Sequence, residues 1–519
     1  MGLKHLIAAA LVALLAQAPS FAAEPLVWFD GTRPSPQAEQ AVRLLQDARS
    51  HGLEPAEYDA DRLAQALDPA RGGQLDEAAR TALDQQLTVA VERYLTELHY
   101  GRLAPEQLPQ GYVAPRRDPF DATGTLRAAV ASGRLQEAAR AAAPRIAQYE
   151  RLREALASYR TLVDHPAWTS SLPALPSGPR NTPPKLEVGQ PYAGVEVLRE
   201  RLIALGDLPL ATPPAALYDE ALAAGVRTFQ QRHGLTADGV LGKATFAQLQ
   251  VPPSARVRQI ELMLERLRWT PLMQGSRMVV INVPEFTLRA YEVQDERIVV
   301  RETMKIIVGK ALNTRTPLFV EQMRFIEFQP FWNVPPSIAR GEVVPRLRRD
   351  PAYWEREGFE FVVGSSVVTA LSPELLDETV AGRARIRQRP GSKNALGDIK
   401  FVFPNNDNIY LHHTPAVSLF ARDRRDFSHG CIRVEQPVAL AQFVLRDRPD
   451  WTEERIRAAM SDGNPITLRL AEPIPVLIAY GTAMVKEGRV YFYEDIYGHD
   501  RRLDAALRGR RPALPPLTR

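Results

Sequence analysis

Between residues 30 and 180 apolar side chains recur every three or four positions, with charged residues between them. The clearest stripe is Leu83, Leu87, Val91, Tyr94, Leu95 and Leu98, a spacing that places one apolar face along a helix. Asp76 stands where an N-cap belongs and Gly101 where the helix stops. The segment predicts a helical scaffold, and its Asp and Glu side chains read as solvated faces rather than acid–base pairs. A proline-rich, linker-like stretch covers 170–191. Three short amphipathic helices are expected next, with Gly206 and Gly234 as stops and His233 at a helix end. The stripe Val257, Ile260, Met263, Leu264 and Leu267 then predicts a helix ending at Trp269 and returning to the scaffold.

From residue 278 the period changes to two. Runs rich in β-branched residues at 278–283, 287–291, 297–300, 304–308, 325–328, 399–403 and 409–412 predict strands. The mixed, basic segment 335–390 interrupts them and reads as an inserted lid, with Tyr353 and Trp354 as packing groups. Further strands at 476–480 and 489–493, around Lys486-Glu487-Gly488, predict a hairpin that extends the sheet. The fold class is therefore multidomain α+β: a helical scaffold, a small three-helix domain, and a mostly-β domain with a capping insert. The expected divisions are a leader at 1–22, scaffold at 23–185, small domain at 186–250, returning helix and linker at 251–277, the β-rich domain at 278–470 with its insert at 335–390, and a C-terminal extension at 471–519.

Charge changes this picture little. The formal net charge is +4 over 519 residues, with Lys and Arg spread along the chain, so no nucleic-acid footprint stands out. The first residues say more. Lys4 and His5 precede an apolar run at 6–16, and Ser20 and Ala22 supply small residues at a cleavage position. That pattern predicts a secretory leader cut after Ala22, and so an exported protein, periplasmic of the Gram-negative type if its family resemblance below holds. No later apolar run is long enough to span a bilayer, so no stable membrane insertion is expected after cleavage.

The chain has one cysteine, Cys431, so an internal disulfide is excluded. Three of the nine histidines, His412, His413 and His429, lie within twenty residues of it. A thiolate is a far better nucleophile than a thiol, and an imidazole is the usual group that takes its proton. Gly430 lets backbone approach closely beside the sulfur and leaves amides to face a developing oxyanion. This constellation points to covalent acyl transfer. A buried inert thiol and a zinc site built from the histidines are the competing readings. Neighbours on a strand face opposite ways. His412 shares the more polar side with Asn408 and Tyr410, so His412 rather than His413 is the expected base, and the zinc reading loses a ligand.

Two resemblances follow from these residues. Phe229-Gln230, Gly234-Leu235, Asp238-Gly239 and Gly242 resemble the peptidoglycan-binding type 1 domain. Gly309-Lys310 with Thr314, Thr316 and Pro317, the run Asn394 to Asn405, Tyr410-Leu411-His412 with Thr414-Pro415, and Ser428-His429-Gly430-Cys431-Ile432-Arg433-Val434 resemble the YkuD-type L,D-transpeptidase domain. The likeness is to its large periplasmic subgroup, and the chain departs from the pattern at His413. The resemblance implies a cysteine-dependent acyltransferase with Cys431 as nucleophile and His412 as proton acceptor and donor. It also implies substrate contacts at His429, Gly430, Arg433 and Tyr410, no cofactor and no metal, and acylation of the cysteine by carbapenems. The implied partner is peptidoglycan, and no protein partner is indicated. The reaction implied is a 3→3 cross-link made from tetrapeptide stems. The alternatives are an L,D-carboxypeptidase using the same thiol, and a non-catalytic wall-binding protein.

Overall fold

The computed structural model describes residues 26–71, 73–108, 119–177, 182–273, 275–312 and 314–510. The leader expected at 1–22 and part of the 170–191 stretch lie outside them.

Helix α1, Glu77–Tyr100, begins where the Asp76 carboxylate accepts the Ala79 N–H at 2.7 Å. Its stripe from Leu83 to Leu98 is buried against the other N-terminal helices. Further on come α2, Ala147–Thr161, then α3, Val195–Ala204, α4, Glu220–Arg232, and α5, Lys243–Leu249. The last three enclose a small core of their own around Leu198, Tyr218, Val226 and Phe229. Helix α6, Pro253–Trp269, then packs back on α2, with Ile260, Leu264 and Leu267 buried there. His233 caps α4, buried, with Nδ1 at 2.7 Å from the Phe229 carbonyl.

The acidic residues of this region are not all solvated, contrary to the sequence expectation. Glu97 accepts from the Tyr58 hydroxyl at 2.6 Å and pairs with Arg93 at 2.9 Å. Glu265 of α6 is 0% exposed and pairs with Arg102 at 3.2 Å and with Arg268 at 2.7 Å. Burying a charge is costly unless a partner and hydrogen bonds replace water. Periodicity records only which face is apolar, so these paired carboxylates are invisible to it.

The β-rich domain begins with β1, Arg277–Asn282, β2, Thr287–Gln294, β3, Arg297–Gly309, and β4, Phe319–Phe328. The two runs expected at 297–300 and 304–308 are one strand, β3. The insert supplies β5, Trp332–Asn333, β6, Phe359–Val363, β7, Ser366–Val368, and β8, Arg385–Gln388. These form a separate four-stranded sheet over their own core, in which Trp354 stacks near Phe361 at 4.3 Å. The chain returns through β9, Ile399–Val402, β10, Leu411–His412, β11, Asp426–Ser428, β12, Ile432–Val434, and β13, Ile466–Ala479.

The main sheet runs β11-β3-β12-β10-β9-β4-β13-β1-β2, and β2 also pairs with β3, so the sheet closes on itself. Closure is possible because β3 is long: its first part pairs with β2 and its Ile306 and Ile307 with β12. Two expectations are corrected here. The boundary placed at 470 falls inside β13, whose second half pairs in parallel with β1. The tail hairpin does not extend the sheet. Its strands β14, Ala483–Lys486, and β15, Arg489–Phe492, form a two-stranded ribbon, whose Ala483, Val485 and Phe492 are buried against α2 and α6. The apolar side of this ribbon is covered by helices, so it needs no sheet neighbour. The chain continues into α7, His499–Gly509. The small domain touches both: His233 stacks on Phe492 at 5.8 Å, Arg232 donates to the Val490 carbonyl at 3.3 Å, and Thr236 donates to Asp423 at 2.7 Å.

Removing one partner of a buried charge cluster leaves the others unpaired. Glu265→Ala, which leaves Arg268 without a carboxylate and Arg102 with Glu57 alone, is expected to lower unfolding free energy by about 3–5 kcal/mol; denaturant titration against wild type reads it, and an unchanged midpoint would show the cluster to be inert.

Candidate active site

Strand β10 lies antiparallel to β9, with Lys400 opposite His412, and parallel to β12, with Leu411 opposite Ile432 and His412 opposite Arg433. Residues in register share a face and the side-chain period is two. Lys400, His412 and Arg433 therefore form one row, and Tyr410 with Cys431 forms the row beside it. All five line one cavity of about 600 Å³, closed on another side by Pro335, Ile338 and Arg385 of the insert. His413 points the other way: Nδ1 lies 2.7 Å from the Asp398 carboxylate, outside the cavity lining. Among the described residues no three or more His, Cys, Asp or Glu converge as metal ligands.

The Cys431 thiol donates to the Asn408 carbonyl at 3.6 Å, and the Tyr410 hydroxyl lies near enough to the sulfur to favour its charged form. Burial pushes the thiol pKa up, opposed by the Tyr410 contacts and by the positive charges of Lys400 and Arg433. A thiol whose pKa is raised rests neutral at neutral pH. Position 431 is half-buried rather than surface-exposed, and motif letters do not report that. His412 is 4% exposed, and burial, then the charge of Arg433, hold its pKa down to about 3. Its Nδ1 lies 2.5 Å from the His413 carbonyl. A carbonyl only accepts, so Nδ1 carries the proton and Nε2 of the neutral ring is left with its lone pair.

The other expected site residues are placed as follows. Arg433 has no carboxylate partner among the described residues, and its buried Nε has no acceptor. Tyr410 sits on the sulfur, with the Lys400 ammonium 4.5 Å from its ring centre. His429 lines the cavity but its Nε2 lies 2.6 Å from Glu342 of the insert. The Gly430 amide is not free, as the sequence reading expects: it donates to Ser428 Oγ at 3.1 Å, while Ser428 Oγ donates to the Cys431 carbonyl. The serine hydroxyl thus closes the turn at 428–431 and uses up that donor. Gly430 is required all the same, since φ is 116° and an added Cβ would lie 3.2 Å from Ile409. The amides left without an acceptor among the described residues are those of His429 and Cys431. Lys400 and Glu342 escape the sequence reading. Lys400 had a signal, being the one polar residue among the apolar 399–403; Glu342, on a distant insert, had none.

A closed β sheet carrying a neutral thiol, an imidazole and an unpaired guanidinium on one face defines a thiol-bearing site inside a multidomain α+β protein. Comparison with known proteins gives matches to parts of the chain. Residues 276–467 match the family model described as the L,D-transpeptidase catalytic domain, 191–249 a "Putative peptidoglycan binding domain", and 22–156 a "Scaffold domain". The chain is 30% identical over 252 residues to a Haemophilus influenzae protein named "Putative L,D-transpeptidase", covering 48% of this chain and 49% of that one. The chain thus spans about half the length of this curated relative. Solved structures include an L,D-transpeptidase of Xylanimonas cellulosilytica (16% identity, 59% of this chain and 100% of that one, TM-score 0.18) and Bdellovibrio bacteriovorus Bd1075 (16%, 45% and 55%, TM-score 0.17). Scores this low do not bear on the fold.

The depressed pKa of His412 has a consequence for stability. Between pH 6.5 and about 3 the unfolded chain binds a proton at this ring and the folded chain does not, so acid favours unfolding. The expected slope from this group is about 1.4 kcal/mol of stability lost per pH unit below 6.5. Urea midpoints at pH 7 and pH 5 test it: His412→Asn should show a flatter pH dependence than wild type, and parallel curves would mean the ring does titrate in the fold.

Proposed function

We propose that this protein forms 3→3 peptidoglycan cross-links through a Cys431 thioester. The observation that supports it most directly is the shared face of β10 and β12, which puts the thiol, the Tyr410 hydroxyl, His412 and the unpaired Arg433 into one cavity of the catalytic domain.

In the first half-reaction Cys431 Sγ attacks the carbonyl of the third residue of a donor tetrapeptide. The S–C bond forms first, placing negative charge on the carbonyl oxygen, and the C–N bond to D-Ala breaks as this tetrahedral oxyanion collapses. The thiol proton passes to His412 Nε2 and from there to the departing amine. Both groups are uncharged beforehand, so proton transfer accompanies attack instead of preceding it. The Tyr410 hydroxyl and the nearby cations favour negative charge on sulfur while that happens. The Cys431 amide, free of a protein acceptor, is the backbone donor for the oxyanion; one such donor is worth about 3–4 kcal/mol in the transition state. Arg433 holds a carboxylate of the stem, which satisfies a buried charge that otherwise lacks a partner.

In the second half-reaction a side-chain amine of another stem attacks the thioester. His412 takes its proton, the C–S bond breaks and the thiol is restored. The insert over the cavity limits water and so favours the amine. The match to a peptidoglycan-binding domain supports the same substrate, and a periplasmic location fits both action on the wall and the leader pattern.

Intact-mass measurement after exposure to tetrapeptide should show an acyl increment on wild type and none on Cys431→Ala, with His412→Ala acylated at least about a hundredfold more slowly. Dimer rather than tripeptide should accumulate. An adduct on the cysteine-free variant would refute the assignment, and tripeptide alone would make the protein a carboxypeptidase.

A further inference from the structure

The turn at 428–431 is held from outside by the loop that follows β3. Thr314 Oγ1 donates to the Ser428 carbonyl at 3.0 Å, and so does the Lys310 N–H, also at 3.0 Å. Thr316, 1% exposed, donates from Oγ1 to the Gly430 carbonyl at 2.7 Å and accepts the Gly309 N–H at 2.9 Å. The loop folds back so tightly that an added Cβ at Gly309 would lie 1.9 Å from the Thr314 carbonyl oxygen.

The Gly430 carbonyl and the Cys431 N–H belong to one peptide unit. That unit is planar and trans, so the two groups point in opposite directions. Fixing the carbonyl on Thr316 therefore fixes the direction of the N–H. This N–H, like that of His429, finds no acceptor among the described residues.

What holds Thr316 comes from a part of the chain beyond residue 467, where the catalytic-domain match ends. Tyr497 lies just before α7 and is 1% exposed. Its hydroxyl donates to the Gly309 carbonyl at 2.6 Å and accepts the Thr316 N–H at 3.2 Å, tying both ends of the loop. Burial raises the Tyr497 pKa to about 12, so the donated proton stays in place at working pH. Its backbone is fixed in turn, with the Tyr497 N–H donating to the Tyr480 hydroxyl at 2.9 Å.

We infer that Tyr497 is a positioning residue for catalysis: through Thr316 it aims the Cys431 amide at the oxyanion formed when the thiol attacks. The inference rests on the acyl-transfer reading given above. It makes the C-terminal extension a working part of the site, since without Tyr497 the two ends of the loop are tied only by the bond from the Gly309 N–H to Thr316 Oγ1.

The test separates oxyanion stabilisation from thiol reactivity. Acylation of Cys431 by a tetrapeptide passes through an oxyanion; alkylation by iodoacetamide, in which sulfur displaces iodide, does not. Both rates are read by intact mass on Tyr497→Phe, Thr316→Val and Thr316→Ser. Loss of an oxyanion donor costs about a hundredfold or more, so a misaimed one should slow acylation about tenfold in Tyr497→Phe and up to about a hundredfold in Thr316→Val. KM and the alkylation rate should stay within about twofold, and Thr316→Ser, which keeps the hydroxyl, should recover most of the acylation. Unchanged acylation in Tyr497→Phe would overturn the inference. So would a parallel fall in both rates, because the hydroxyl would then be supporting the fold alone. Wild type that is alkylated yet never acylated would remove the acyl-transfer reading, and this inference with it.

Discussion

The parallel pairing of β10 with β12 is the constraint on which the site depends. One register decides that Cys431 faces the cavity with Tyr410, and that Arg433 does so with His412. A slip of one residue would turn the sulfur into the apolar interior and present Ile432 instead. Little in β10 itself enforces this, since the strand is two residues long. The register is set by its neighbours: β9 fixes His412 through Lys400, and β12 is held by Ile306 and Ile307 of β3.

The electrostatics of the cavity follow from the same placement. Burial disfavours charge on sulfur and on imidazole alike, while Lys400 and Arg433 favour charge on sulfur and Arg433 opposes it on the ring. The result is a neutral pair at rest. A thiolate kept permanently charged would need compensation whether or not substrate is bound. A neutral pair meets that demand only when an electrophile arrives, and it leaves Arg433 as the charge awaiting a partner.

Much of this was legible in the sequence, for identifiable reasons. Helix α1 is readable from Asp76, its stripe and Gly101 because these are local rules. The split between His412 and His413 is readable because strand periodicity is two. Other features depend on contacts between distant segments and leave no local trace. Ser428 occupies the Gly430 amide, Glu342 reaches His429, and Glu265 is buried between Arg102 and Arg268. The tail ribbon was misjudged for a related reason: alternation shows that a strand has a buried side, and says nothing of whether helices or another strand cover it.

The ribbon of β14 and β15 has a mechanical meaning. It is gripped by α2 and α6 on one side and meets the small domain through Phe492 and Val490, while Thr236 reaches Asp423 on the segment leading to β11. A module fastened at several points cannot swing like a bead on a tether. Whatever that domain grasps is kept at a set span and angle from the sulfur, so the molecule is built like a caliper whose jaws are the small domain and the thiol cavity.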